Sequence, residues 1–506
     1  MSEPKSKRGG ARAGAGRPKK SAEQTDLAAY EASYRFNPQR MWVYSPTLDA
    51  QKELSSGSRL ELIKKATWLY NNSGLAKGAV DKVARLIGPL MPQARTLDEA
   101  WNRKAERAFN DACCNAAFGV DVAGLVNFQG AIRLCVAQMA IAGDVFWQRV
   151  SSKQGRAMFR LIPGENVGSP VGKEGEGWND GVLVSSMGRA IKYRVLKSPA
   201  SQEYTDINAD DMGGHVRRAY RIGYTRAPSW LAHASNSLQD ILEYLALEKQ
   251  SAKIGASLAF VIKSPEAGAI GLGSSMVKGN SSSSAQPMTV DALTNGSVIP
   301  QLKPGETIES VINSHPSGNM KQFLDTLKED IAVGFGGGLS KQFLFDSTDA
   351  GGANQRWILE EAAGALDEIR EIIIQNFAAP FWRYWIWNEI ESGRLEMPSD
   401  GSDWWRCEFI AGQGRLSVDF GRDGRLMSDL LQRGQISPQR YYALQGLDAD
   451  TQDADIIRFA ARRKKLVQEI AKQEGVELTT TEVFPPAPGS PVPIIDEVPG
   501  DLTAGN

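Results

Sequence analysis

The chain has 506 residues, with 58 Lys and Arg against 59 Asp and Glu and a formal net charge of −1. That balance excludes a uniformly basic nucleic-acid coat. With 42% apolar and 23% charged residues, it fits a globular protein of about two to four domains. No apolar run reaches the roughly 18 residues a membrane span needs; the richest stretch, FAAPFWRYWIWNEI, is broken by Pro380, Arg383 and Glu389. The N-terminus carries no apolar signal core. Cys113, Cys114, Cys135 and Cys407 match neither a metal spacing nor a disulfide framework, which predicts reduced thiols in a cytoplasmic setting.

Residues 1–40 read as a disordered basic tail. MSEPKSKRGGARAGAGRPKK is rich in Gly and Ala, with seven Lys and Arg against Glu3 alone. Within it, Gly16-Arg17-Pro18-Lys19 is similar to the core of a minor-groove hook, making Arg17, Lys19 and Lys20 candidate DNA contacts.

Helical periodicity begins at Ser58, a predicted N-cap with Glu61 at the capping-box position. Leu62, Ala66, Leu69 and Tyr70 form one stripe, broken at Asn71-Asn72-Ser73-Gly74. A second helix carries Val80, Val83 and Ile87 and stops at Gly88-Pro89. A third carries Trp101, Ala105 and Phe109; a fourth carries Phe128, Ile132, Val136 and Met139. From Asp144 the period shortens to that of strands, DVFWQRV and MFRLIP, then a hairpin about Met187-Gly188. Residues 41–228 therefore read as an α+β unit.

A long helix is predicted after Pro228, capped by Ser229 and running to residue 256, with an apolar stripe through Leu231, Leu238, Ile241, Leu242 and Leu245. Residues 257–317 read as a small β-rich insert of low complexity, with short strands around Pro304-Gly305. A second amphipathic helix, MKQFLDTLKEDIAVGF, runs into GGGLSKQFLFDSTDAGGAN, whose glycines suggest a mobile finger held between helices. The helix QRWILEEAAGALDEIREIIIQNF follows and ends in the aromatic run at Phe381, Trp382, Tyr384, Trp385 and Trp387, read as packing rather than a base-stacking platform. Residues 421–474 read as three short helices, with Ser437-Pro438 starting the second. The last 30 or so residues, 475–506, are predicted to be a disordered, Pro-rich acidic tail.

No catalytic motif emerges. His215, His233 and His315 are dispersed, and GFGGGLSKQ and GLGSSM lack the order of phosphate-binding loops. Asp448, Asp450, Gln452 and Asp453 fail as a calcium loop because the sixth position is Asp453 rather than glycine. The sequence predicts no enzyme, cofactor or metal.

Taken in order, NNSGLAKGAVDKVARLIGPLMPQ, AQMAIAGDVFWQRV, LIPGENVGSP, the TRAPSWLAHASNSLQDILEYLALEKQSAKIGAS helix, LKPGETIESV, KEDIAVGFGGGLSKQFLFD and LLQRGQISPQRYYALQGLDAD give a chain that resembles the lambda-like portal proteins of tailed bacteriophages. The likeness spans about residues 55–470. Relatives often carry Arg-Gly-Val-Pro before the long helix where this chain has Arg226-Ala227-Pro228, and Asn-Tyr-Ser-Ser after the finger where it has Asp349-Ala350-Gly351-Gly352.

The resemblance implies a multidomain α+β subunit with wing, stem, clip and crown, assembling as a ring, typically a dodecamer, at one capsid vertex. Wing would be 41–228 and 354–420, stem helices 229–256 and 318–335, clip 257–317, tunnel loop 336–353 and crown 421–474. The implied partners are further copies of the chain, double-stranded DNA in the axial channel, the terminase large subunit, head–tail adaptor proteins, and major capsid and scaffold proteins, with no membrane. The implied location is the virion vertex, with assembly in the host cytoplasm. Asp240, Glu243, Glu248, Asp325 and Glu329 become candidate stem-lining residues. Lys341, Gln342, Phe343, Asp346 and Asp349 become candidate tunnel-loop residues, Lys341 being the expected basic contact. A sliding channel favours an acidic or near-neutral lining, because each phosphate neutralised by Lys or Arg adds affinity that slows the strand. The competing reading is a DNA-binding regulatory or scaffold protein acting through the basic tail.

Overall fold

A computed structural model of the protein describes residues 47–114, 119–170, 172–173, 175–257, 261–263, 307–309, 319–346, 352–399, 401, 403–412 and 420–474. Calls on Arg17, Lys19, Lys20 and Asp349, on most of the 257–317 insert and on the 475–506 tail lie outside them.

The chain opens with α1 (Ala50–Glu53), α2 (Ser56–Asn72) and α3 (Gly74–Leu86). Ser55, not Ser58, caps α2: its Oγ accepts from the Ser58 N–H, which places Ser58 inside the first turn. Ser73 both ends α2, donating its N–H to Leu69 O at 2.7 Å, and caps α3. Strand β1 (Leu90–Ala94) leads to α4 (Glu99–Phe109), a π-helical turn at Asn110–Cys114 and α5 (Phe128–Ala142). Helix α5 is central, with Phe128, Ile132, Cys135, Val136 and Met139 all fully buried.

Two antiparallel sheets follow. β2 (Asp144–Ser151) pairs with β3 (Ala157–Pro163), and later with β8 (Met212–Arg217). β4 (Trp178–Asn179), β5 (Val182–Val184), β6 (Ala190–Leu196) and β7 (Tyr204–Asn208) form a meander whose β5–β6 hairpin turns at the predicted Met187-Gly188. A second small core of Phe146, Ile162, Val167, Val182, Tyr193 and Val195 joins the two sheets.

After α6 (Ser235–Ser257) come β9 (Val261–Lys263) and β10 (Thr307–Glu309), paired antiparallel, then α7 (Met320–Gly334) and α8 (Lys341–Leu344). Helix α9 (Gly352–Ile373) passes through a π-helical turn at Ile374–Ala378 into α10 (Ala379–Glu391). Pro380 does not end this helix. Having no N–H, it leaves the Asn376 carbonyl without its ordinary partner, and the Trp147 indole N–H fills the vacancy at 2.9 Å. The wider turn lets Ala379 N–H reach Ile374 O. Glycines permit the approach: a Cβ at Gly213 would lie 2.2 Å from the Trp147 ring, and one at Gly214 2.2 Å from Asn376 O. Phe381, Trp382 and Trp385 are buried against Phe109 and Phe128, as the packing reading expected, while Tyr384 is half-buried and Trp387 is 44% exposed.

Strand β11 (Cys407–Ala411) closes back on β1. Helices α11 (Phe420–Gln432), α12 (Pro438–Leu444) and α13 (Ala449–Glu474) finish the described chain. Ser437 caps α12 with Pro438 in its first turn, as predicted. The third helix is not short: its 26 residues make a rod of about 39 Å.

Where α13 begins, Asp448 and Asp450 face Glu106 of α4 across a small cleft that Arg103 also lines. Burial, aided by those two carboxylates, pushes the Glu106 carboxyl up to about 7, against the Ala94 N–H that donates to it at 2.7 Å. A raised carboxyl stabilises the fold below its unfolded pKa near 4.5, and that contribution is lost as pH rises through 7. Glu106→Gln is therefore expected to match the parent at pH 5 and to be more stable by about 2 kcal/mol at pH 8. Urea unfolding at the two pH values checks this.

Candidate functional site

Helices α6 and α7 form one unit. Trp230 meets Phe335 at 5.8 Å, His233 Nε2 donates to Ile331 O at 3.3 Å, and Tyr244 meets Phe323 at 5.5 Å. Partner numbers fall along α7 as they rise along α6, so the helices are antiparallel. Strands β9 and β10 join their far ends. Near the base they approach closely: a Cβ at Gly334 would lie 2.1 Å from His233 Nε2.

The predicted start of the first helix is corrected. Residues 229–234 form turns, and the helix begins at Ser235. Ser229 is drawn away because its Oγ donates to Ala140 O at 2.9 Å, beside the Trp230 N–H donating to the same carbonyl at 3.1 Å. The root of α6 is thus fixed to the end of α5. Gly143 (φ 92) allows it, since a Cβ there would come 2.1 Å from Ala227 O.

Just before that root lies a buried ionic hub that sequence reading missed. Arg226 forks onto Asp144, Nε to Oδ2 at 2.6 Å and Nη2 to Oδ1 at 3.0 Å. It also donates to the carbonyls of Val167, Asp180 and Gly164, each at 2.7 Å. Arg59 of α2 pairs with Asp180 at 2.5 Å, and His215 Nε2 donates to Asp144 Oδ2 at 3.1 Å. Burial alone would raise the Asp144 carboxyl, but Arg226 and His215 outweigh it and hold it well below the usual range. Burial pushes His215 down to about 4 despite Asp144. His215 is therefore a neutral structural donor at pH 7, and the hub is a joint between α2, both sheets and the α6 root.

Sequence-predicted stem residues divide into two groups. Asp240, Glu243 and Glu329 are exposed, as are Asp330, Lys249, Lys253 and Lys321; Glu248 is half-buried. Asp325 is mostly shielded, 3.7 Å from Lys328 and 3.8 Å from Lys341. Leu247, Phe323 and Val333 leave apolar surface in water at 64%, 51% and 60% exposure.

The described half of the finger, residues 336–346, is pinned rather than free. Gly336, Gly337 and Gly338 all have positive φ (59°, 117° and 86°), which reverses the chain after α7. Ser340 caps α8, accepting from Phe343 N–H at 3.2 Å. Leu339, Phe343 and Leu344 are buried, and Lys82 of α3 donates to the Phe343 carbonyl while lying 4.7 Å from its ring. Phe343 is thus an anchor. Lys341, expected as a basic contact, is only 12% exposed and turned to Asp325. Gln342 and Asp346 are half-buried.

Among the described residues no group of His, Cys, Asp and Glu could hold a metal, and no helix is long and apolar enough to cross a membrane.

None of the curated proteins matches this chain. Among solved structures it is similar to a chain from the neck of a native GTA particle computed with C12 symmetry, at TM-score 0.45 and 13% identity, covering 78% of this chain and 94% of that one. It is also similar to a chain from the neck of an empty GTA particle computed with C6 symmetry, at TM-score 0.44 and 12% identity, covering 77% and 93%. The sequence profile described as phage portal protein, lambda family, matches residues 38–346. That is more than half of the 506 residues, and the chain belongs to the lambda family of phage portal proteins.

Proposed function

We propose that copies of this chain close into a ring, typically a dodecamer, at a capsid vertex, with α6 and α7 lining an axial channel through which double-stranded DNA is packaged and ejected. The observation that carries this reading is the α6–α7 hairpin. Its exposed carboxylates at Asp240, Glu243 and Glu329 suit a lining that does not grip phosphate. Its exposed Leu247, Phe323 and Val333 suit burial against neighbouring copies. Family membership supplies the context. In this reading the β9–β10 end is the clip, where the terminase docks and head–tail adaptors later replace it. Residues 41–228 and 354–420 form the wing toward capsid and scaffold proteins, and 421–474 the crown. ATP hydrolysis belongs to the motor, and this chain contributes no catalytic group. The ring would assemble in the host cytoplasm and remain in the virion.

The Lys341–Asp325 contact holds the described half of the tunnel loop against α7. In the assembled ring this would set where Gln342, Asp346 and Asp349 meet the duplex. Glu243→Lys is expected to add a phosphate contact in every subunit and shorten the packaged DNA, scored by the length protected in particles. Full-length DNA in the variant removes Glu243 from the channel. The regulatory alternative, acting through Arg17, Lys19 and Lys20, predicts a monomer or dimer whose DNA binding is lost on deleting residues 1–20; here the same deletion is expected to leave ring assembly intact.

A further inference from the structure

An open groove of about 390 Å³ lies on the wing, lined by Arg149, Pro380, Arg383, Tyr384, Trp387 and Trp404. Trp387 is 44% exposed and lies 5.3 Å from Trp404, and the Arg149 guanidinium sits 5.8 Å from the Tyr384 ring. Arg149 donates to the Asp210 carbonyl at 3.4 Å and Arg383 to the Ala379 carbonyl at 3.3 Å. Among the described residues no carboxylate pairs with either guanidinium. The groove thus offers aromatic faces flanked by two uncompensated positive charges.

One segment of this chain has the complementary chemistry. Residues 475–506 carry Glu477, Glu482, Asp496, Glu497 and Asp501 with no Lys or Arg. Within them Pro485, Pro488 and Pro491 recur every third residue. A polyproline helix has three residues per turn, so that spacing would set the three rings on one side, over about 19 Å. Tryptophan- and tyrosine-lined grooves are the common receptors for such ridges. Asp496 and Glu497 follow close behind, where an arginine could meet them.

We propose that the C-terminal segment around Pro485–Glu497 docks in the Arg149–Tyr384–Trp387–Trp404 groove, prolines against the aromatic rings and carboxylates toward the arginines. Helix α13 ends at Glu474. The ten residues 475–484 can reach about 35 Å when extended, nearly the length of α13 itself. Helix α12, which leads to α13, sits on β11, which begins three residues after Trp404, with Arg440 of α12 4.0 Å from Glu408. The docked segment would tie the end of the chain back to the wing. This inference stands apart from the channel reading.

The test uses the full-length protein with a photoreactive benzophenone residue in place of Ser490, which leaves the three prolines intact. Irradiation and mass spectrometry are expected to place the cross-link on the peptides carrying Tyr384–Trp387 or Trp404. Arg149→Glu with Arg383→Glu, both exposed positions, should lower its yield roughly fivefold, the worth of about 1 kcal/mol of ion pairing. Replacing Pro485, Pro488 and Pro491 together by alanine should remove it. A cross-link mapping to another surface, no cross-link at all, or a yield unchanged in the arginine variant overturns the proposal.

Discussion

Replacing Arg226 by methionine is expected to cost the fold about 3–5 kcal/mol, a large share of a domain's usual stability. The side chain is buried, and its five donors are spent on Asp144 and on three carbonyls. Methionine would fill much of the volume but leave the fully buried Asp144 carboxylate with only His215 beside it. Arg59 could still reach Gly164 O and Val167 O, each at a longer 3.3 Å. Urea unfolding followed by circular dichroism measures the loss; a change below about 1 kcal/mol would mean the network carries little. The hub also sets an acid limit. Asp144 has its folded pKa depressed, so it contributes stability above its unfolded value near 3.8, lost only as pH falls further. His215, lowered to about 4, is protonated more readily in the unfolded chain, so it takes stability away as pH falls from 6.5 toward 4. Both effects point the same way, and Arg226→Met should weaken the Asp144 part.

Leu247→Asp combined with Val333→Asp is expected to abolish assembly while leaving the subunit folded. Both side chains are more than half exposed, so the lone subunit loses little. In the proposed ring, with α6 and α7 at the subunit contacts, each would be buried at every interface. Burying such a side chain is worth about 1.5–3 kcal/mol, and burying an unpaired carboxylate costs more than that gain. Sedimentation velocity should show a single-subunit species with an unchanged far-ultraviolet spectrum. A ring that survives both substitutions would move the proposed subunit interface away from α6 and α7.

The parts of this architecture legible in the sequence are those set by local rules. The amphipathic stripe through Leu238 and Ile241 marked α6, and Asn71 to Gly74 marked the α2–α3 break, where one serine serves both helices. Ser437-Pro438 marked a helix start that the cap geometry bears out. What escaped depends on partners distant in sequence. Ser229 looks like a cap until Ala140 O competes for its hydroxyl. Pro380 looks like a stop until the Trp147 indole N–H donates to the Asn376 carbonyl it leaves over. The hub draws on Arg59, Asp144, Asp180, His215 and Arg226, with no spacing between them to read. The glycine-rich loop suggested freedom, yet Phe343 and Leu344 are held by packing that no single segment encodes.

Electron microscopy of the purified full-length chain tests the central claim most directly. Annular particles should appear end-on, with density for α6 and α7 encircling an open hole. Separate subunits at every protein and salt concentration tried, or closed particles whose hole is bounded by other elements, would contradict it.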